Sequence, residues 1–292
     1  MDRLESGVAV SPRRRKEDRP SRRLSKGMYI LPSLSTTANI AAGYYALLQT
    51  TAEPAHFDNA AIAIGFAVMF DGLDGFIARM TNTSSDFGRE LDSLADVITF
   101  GVAPAMLAWM WGFHGLRVIS SSPQLIAKIT QLGAIASFLF LIAGASRLAR
   151  FNITSNPQPS NPGRPGKKYF VGMPIPAGAG VIAAVVHFSG DPLVWWGTAV
   201  TWLLILCTTA YLMVSRWRFY SFKGIDFRSR QRFQLIILLA LLFAAIWYFS
   251  RPVLFVIALL YMFSGIFWRL QWTFRRRAKR PPPAYEEASQ TS

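Results

Sequence analysis

Cysteine is nearly absent from this chain. Its 292 residues include one, Cys207, inside an apolar run. A single cysteine excludes an intrachain disulfide framework and a cysteine-ligated metal site. Among apolar neighbours it reads as a small hydrophobe. Charge is also scarce, at 16% of residues, against roughly 25% in soluble domains. The three histidines, His56, His114 and His187, fall at or near the outer ends of apolar segments. That placement argues against a histidine-dependent phosphatase or lipase. Acids are the scarcer sign, 16 Asp and Glu against 31 Lys and Arg, for a net charge of +15.

Apolar residues are abundant, 52% of the chain with 14% aromatic, and mean hydropathy is positive. Lys and Arg gather at the two ends and in short loops between long apolar runs. This is the profile of a polytopic membrane protein. A nucleic-acid partner is excluded, because such a binder would not bury its chain in apolar runs. The basic balance reads instead as the positive-inside bias with attraction to anionic lipid.

Residues 1–26 are Arg-rich with Pro and Ser, and are expected to form a disordered cytoplasmic tail. They are no cleavable signal peptide, since no small-residue cleavage site follows a short apolar core. Residues 274–292 form a second such tail, in which Pro282-Pro283-Ala284-Tyr285 matches a WW-domain ligand pattern. The transmembrane domain is expected over 27–273. It contains eight apolar segments, near 29–50, 58–80, 89–113, 124–151, 171–190, 193–215, 233–250 and 252–272. Each is close to the ~20 residues that cross a hydrocarbon core. The resulting fold class is all-α, a polytopic helical bundle of about eight transmembrane helices.

Basic residues orient the bundle. The tails and the connections around 80–88, 152–170 (Arg164, Lys167, Lys168) and 216–232 hold nearly all the Lys and Arg outside the helices. The alternate connections hold almost none, so both termini are placed in the cytoplasm. Trp195 and Trp196 on the outer side, and Trp268 and Trp272 on the inner side, fit interfacial belts.

Against this apolar background stands Asp71-x2-Asp74-Gly75-x2-Ala78-Arg79-x8-Gly88-x3-Asp92-x3-Asp96. Asp71, Asp74 and Ala78 share one helical stripe. Gly88, Asp92 and Asp96 share another. The short polar connection between them makes the two helices antiparallel neighbours, with four carboxylates facing one point near the cytoplasmic face. Four acids together repel and demand cations. Oxygen ligands favour Mg²⁺, Mn²⁺ or Ca²⁺, and two ions ~4 Å apart would clamp phosphate oxygens. Gly75, Ala78 and Gly88 leave room for a ligand, and Arg79 can reach a phosphate with its planar fork. The bland alternative is glycines for helix packing and acids in interhelical salt bridges. Acids at the interface could also serve a cation pathway, but a pathway would spread ionisable groups across the bilayer.

The complete spaced set resembles the signature of the CDP-alcohol phosphatidyltransferases. Within that family the chain is most similar to the membrane-integral bacterial phosphatidylserine synthases. Leu31-Pro-Ser-Leu-Ser-Thr-Thr-Ala-Asn39 with Gly43 carries the narrower likeness, as do Asp92 to Pro104, Arg147-Leu-Ala-Arg150-Phe-Asn152, Phe170 to Pro176 and Met213 to Lys223. Ser33 departs from the pattern, where an asparagine is expected.

The resemblance implies transfer of a phosphatidyl group from CDP-diacylglycerol to L-serine, giving phosphatidylserine and CMP, in the bacterial cytoplasmic membrane with the active site facing the cytoplasm. Glycerol 3-phosphate and inositol phosphate are the alternative acceptors. It implies that Asp71, Asp74 and Asp92 are metal ligands for Mg²⁺ or Mn²⁺, with Asp96 the general base near or on the metal. Gly75, Ala78, Arg79 and Gly88 would hold the CDP moiety, with Asn39 and Thr36 on the nucleotide side. Arg147 and Arg150 are the candidates for the serine carboxylate, and homodimers are a tendency of the family.

Overall fold

The structure, a computed structural model, describes residues 27–81, 86–116, 123–154, 169–220 and 232–276. Residues 1–26 and 277–292 and the loops expected to carry Arg164, Lys167, Lys168 and Lys223 lie outside the described residues, while 274–276, expected in the second tail, still belong to the last helix. Among the described residues helix dominates, in eight pieces. Helices α1 (Gly27–Thr51) and α2 (Phe57–Thr81) come first. Helix α3 covers 86–114 and mixes α-helix (Asp86–Asp96, Ala103–Trp109) with π-helix (Val97–Val102, Met110–His114). Then come α4 (Pro123–Ile153), α5 (Ile175–Ser189) and α6 (Trp196–Val214). The last stretch, Arg232–Arg276, breaks at Phe249, whose φ of −133° and ψ of 47° are not helical, into α7 (232–248) and α8 (250–276). Pro252, which lacks an amide hydrogen and crowds the carbonyl four residues back, accounts for the break.

Among the described residues, four helices are long and apolar enough to cross a membrane: Phe87–His114, Pro123–Ile153, Trp196–Val214 and Ser250–Phe274. Helix α5 is shorter. Its 15 residues rise about 22 Å, less than the ~30 Å hydrocarbon core. It packs between α2 and α8, and Val181 to His187 are all buried.

The chain is mostly helical as expected, but the apolar segment expected from 171 begins as a strand. Tyr169–Val171 is a strand, β1, paired antiparallel with β2 (Arg218–Tyr220) in the register Tyr169↔Tyr220, Phe170↔Phe219, Val171↔Arg218. Pro174 and Pro176 explain the late helix start, since proline sets an extended residue before it and is best tolerated in a helix's first turn. Gly172 makes the turn with φ +75°; a Cβ there would stand 2.6 Å from the Met213 carbonyl oxygen. The ribbon grips α8: Phe219 is fully buried against Gly265, and the Arg218 guanidinium lies 4.9 Å from the Trp268 ring centre.

Helix α1 buries one stripe, Thr36, Asn39, Gly43, Ala46 and Thr50, spaced as a helix face requires. That stripe meets the π-helical turn of α3. Pro104 cannot donate to the carbonyl four residues back, and its ring crowds that carbonyl. The turn therefore widens, and the Ala103 N–H reaches back five residues to the Ile98 carbonyl. Large apolar side chains such as Leu132, Leu139, Phe243 and Leu260 remain exposed on α4, α7 and α8, as a lipid-facing surface requires.

Candidate active site

The antiparallel stripes meet as their spacing demands. Carboxylate oxygens of Asp71 on α2 and of Asp92 and Asp96 on α3 all lie within 4.8 Å of one another. Asp74, Gly75, Ala78 and Arg79 fall in the last turns of α2, and Gly88 one helical turn before Asp92 on α3. The side chains of Asp74, Ala78 and Arg79 lie outside the described ones.

Asp96 is the most enclosed of the three described acids, at 9% exposed, and its Oδ1 has no hydrogen-bond partner among the described residues. Three like charges at this separation repel by about 3–4 kcal/mol per pair at an effective dielectric near 20. An orphaned buried oxygen inside such a cluster is the condition a divalent cation satisfies, and an all-oxygen donor set suits Mg²⁺ or Mn²⁺. The residues therefore fit a hard metal ion.

Asp96 sits at the last α-helical position before the π-helical turn, and α1 holds it from the side. The Asn39 side chain hydrogen-bonds Asp96. Asn39 is 3% exposed, and its backbone carbonyl accepts a hydrogen bond from Thr99 Oγ1 at 2.9 Å. Gly43 permits this approach: a Cβ at 43 would stand 2.5 Å from Thr99 Oγ1 and 2.8 Å from Thr99 Cα. Thr36, one turn before Asn39, is buried on the same stripe.

The two arginines of α4 part company. Arg147 is buried at 7% exposed, in the neighbourhood of Asp96 and of Tyr261 of α8. Its guanidinium lies 5.8 Å from the Phe151 ring centre, and its Nε has no hydrogen-bond partner among the described residues. Arg150 instead donates from Nη1 to the Val214 carbonyl at 3.0 Å, closing the end of α6. Asn152 Nδ2 donates to Ser93 Oγ at 2.8 Å, tying the end of α4 to the turn between Asp92 and Asp96.

Sequence reasoning missed Ser93, Thr99 and Tyr261 as parts of this site. Thr99 had a signal in Gly43 and Pro104, one marking a close approach and the other a disturbed helix. Tyr261 had none, since it arrives on α8 from far along the chain.

A family model described as CDP-alcohol phosphatidyltransferase matches residues 29–210. A protein of Helicobacter pylori (strain ATCC 700392 / 26695) named CDP-diacylglycerol--serine O-phosphatidyltransferase is 35% identical over 256 residues, covering 85% of this chain and 92% of that protein. A Bacillus subtilis (strain 168) protein of the same name is 34% identical over 198 residues, covering 67% of this chain and 93% of its own length. A third, from Mycobacterium leprae (strain TN), is 32% identical over 253 residues, 84% of this chain and 76% of that protein. With the signature acids gathered at one point and the family model spanning well over half its length, the chain belongs to the CDP-alcohol phosphatidyltransferase family.

Proposed function

We propose that the chain transfers the phosphatidyl group of CDP-diacylglycerol to the hydroxyl of L-serine, releasing CMP. The convergence of Asp71, Asp92 and Asp96 carries this reading, in a chain whose relatives bear that activity in their names. Two divalent cations, Mg²⁺ or Mn²⁺, held by Asp71, Asp74, Asp92 and Asp96, would offset charge on the diphosphate oxygens.

The chain's own groups divide the remaining work. Asp96 takes the proton of the serine hydroxyl as its oxygen attacks the β-phosphorus. The new P–O bond forms as the bond to CMP breaks. Asn39, anchored by Thr99 and the close contact at Gly43, holds Asp96 in place. Arg147 receives the serine carboxylate with its planar fork, and Arg150 secures the helix ends around it. Gly75, Ala78, Arg79 and Gly88 hold the CDP moiety, with Thr36 beside Asn39 on the nucleotide side.

The same reading extends to the whole chain. It places eight spans in the bacterial cytoplasmic membrane with both termini and the acids on the cytoplasmic side, as the basic loops favour. Residues 1–26 and 274–292 are then cytoplasmic tails, and the family's tendency to form homodimers is compatible with this reading. The deciding assay gives the purified protein CDP-diacylglycerol with serine, glycerol 3-phosphate or inositol phosphate in turn. CMP release with serine is expected, and its absence sinks the reading.

A further inference from the structure

The opposite end of the bundle holds a second polar cluster that phosphatidyl transfer does not use. Asp58 lies in the first turn of α2, about 20 Å along that helix from Asp71 at 1.5 Å per residue. His187 lies in the last turn of α5, and Ser250 and Arg251 begin α8. His187 Nδ1 is 2.5 Å from Asp58 Oδ1, and His187 Nε2 is 3.1 Å from Ser250 Oγ. Arg251 Nη2 stands 3.6 Å from Asp58 Oδ2. The three members of the relay are 129 and 63 residues apart in sequence, so no local motif announces them.

The order of contacts decides what the cluster can do. A carboxylate on Nδ1 keeps the proton there in neutral imidazole and leaves the Nε2 lone pair as acceptor. That lone pair meets the Ser250 hydroxyl, which becomes a donor to a base already oriented and electrostatically supported from behind. This is the arrangement that activates a serine oxygen as nucleophile, and it is recognised by geometry rather than by chain order. A pH switch is a poorer reading, because imidazolium would keep both partners, donating to Asp58 and to Ser250 Oγ alike.

Access and substrate class follow from the surroundings. His187 is 7% exposed, whereas Ser250 is partly exposed and the Arg251 side chain is 55% exposed. Phe188, stacked on Phe255 with ring centres 4.4 Å apart, and the exposed Tyr248 and Phe249 put aromatic surface next to it in the chain. Aromatic side chains with an arginine suit the membrane interface and an anionic lipid.

We propose that Asp58, His187 and Ser250 form a nucleophilic serine site, separate from the acidic cluster, for carboxylic esters of membrane lipids. Ser250 Oγ bonds to the ester carbonyl carbon while His187 Nε2 takes its proton. The ester C–O bond breaks, and the leaving alcohol takes the proton from His187. Water then attacks the acyl-serine by the same route, releasing the carboxylic acid and restoring the serine.

The test uses the full chain in detergent with an alkyl fluorophosphonate, in which Ser250 Oγ would bond to phosphorus as fluoride leaves, and with p-nitrophenyl butyrate as ester. Expected are a mass adduct on the peptide containing Ser250 and slow release of p-nitrophenol. His187→Gln and Asp58→Asn should each slow labelling by a factor of about 100 or more. Ser250→Ala should abolish ester hydrolysis and leave CMP release unchanged, which also reports that the variant is folded. No adduct at Ser250 under conditions that label a control serine esterase overturns the proposal and leaves the trio a hydrogen-bonded staple. So does unslowed labelling in both His187→Gln and Asp58→Asn, or hydrolysis that survives Ser250→Ala.

Discussion

Replacing Gly43 with alanine puts a methyl group where Thr99 already stands. The new Cβ would lie 2.8 Å from Thr99 Cα and 2.5 Å from its Oγ1. Rotating the threonine side chain relieves only the second contact, so backbone must move. Restoring ordinary van der Waals distance from the Cα needs a displacement of about 0.7–1.2 Å between α1 and the π-helical turn of α3, since carbon atoms pack best at about 3.5–4.0 Å. Overpacking of this kind costs about 1–3 kcal/mol. The better helix propensity of alanine returns about 0.5–1 kcal/mol. The net is a destabilisation of up to about 2.5 kcal/mol.

The functional effect should be larger than the thermal one. Asn39, one turn from Gly43, hydrogen-bonds Asp96, and a misplacement of about 1 Å at a reacting group costs about 100-fold. Gly43→Ala should therefore lower kcat for CMP release by roughly 10- to 100-fold, move KM for serine far less, and lower the midpoint of thermal unfolding in detergent. Gly65→Ala is the control. Nothing lies within 4 Å of its new Cβ, so it should raise the midpoint slightly and leave kcat alone. A Gly43→Ala protein with Gly65→Ala behaviour would refute the packing argument. Thr99→Ala in the Gly43→Ala background should rescue only part of the loss, because the contact with the Thr99 backbone survives it.

Other outcomes are equally concrete. Asp96→Asn should cut CMP release by about 100- to 10,000-fold, the usual span for removing a general base, with the detergent-solubilised protein still monodisperse by gel filtration. Arg147→Lys loses bidentate geometry and should raise KM for serine about 10- to 100-fold, as loss of a charged hydrogen bond implies; Arg150→Lys should change KM little. Gly112→Ala would place a Cβ 2.3 Å from the Trp202 ring, whose Nε1 donates to the Ala108 carbonyl at 3.0 Å. It should lower thermal stability by about 1–3 kcal/mol without a selective effect on serine binding. Chelation should abolish CMP release, and Mg²⁺ or Mn²⁺ should restore it.

Helix content and the acidic motif were legible in the sequence because both rest on local periodicity. Four-residue spacing put Gly88, Asp92 and Asp96 on one stripe, and a short polar connection turned that stripe toward Asp71. Such spacing also marks Thr36, Asn39, Gly43, Ala46 and Thr50 as one face of α1. Family resemblance then supplied the chemistry, residue by residue.

What the tertiary structure alone decided depends on contacts between distant segments. Pro174 and Pro176 turned the expected start of the fifth helix into a strand, and that strand needed Arg218–Tyr220 as a partner. Arg147 and Arg150 look alike in the sequence, three positions apart near a helix end. Only packing sent one to Asp96 and the other to the Val214 carbonyl. The histidines read as bystanders at the outer ends until α2, α5 and α8 brought Asp58 and Ser250 to His187. Local spacing determines which residues share a helix face, because the repeat is built into the backbone. Which faces then meet is a property of how whole helices bury their surfaces against one another, and no single segment of sequence contains it.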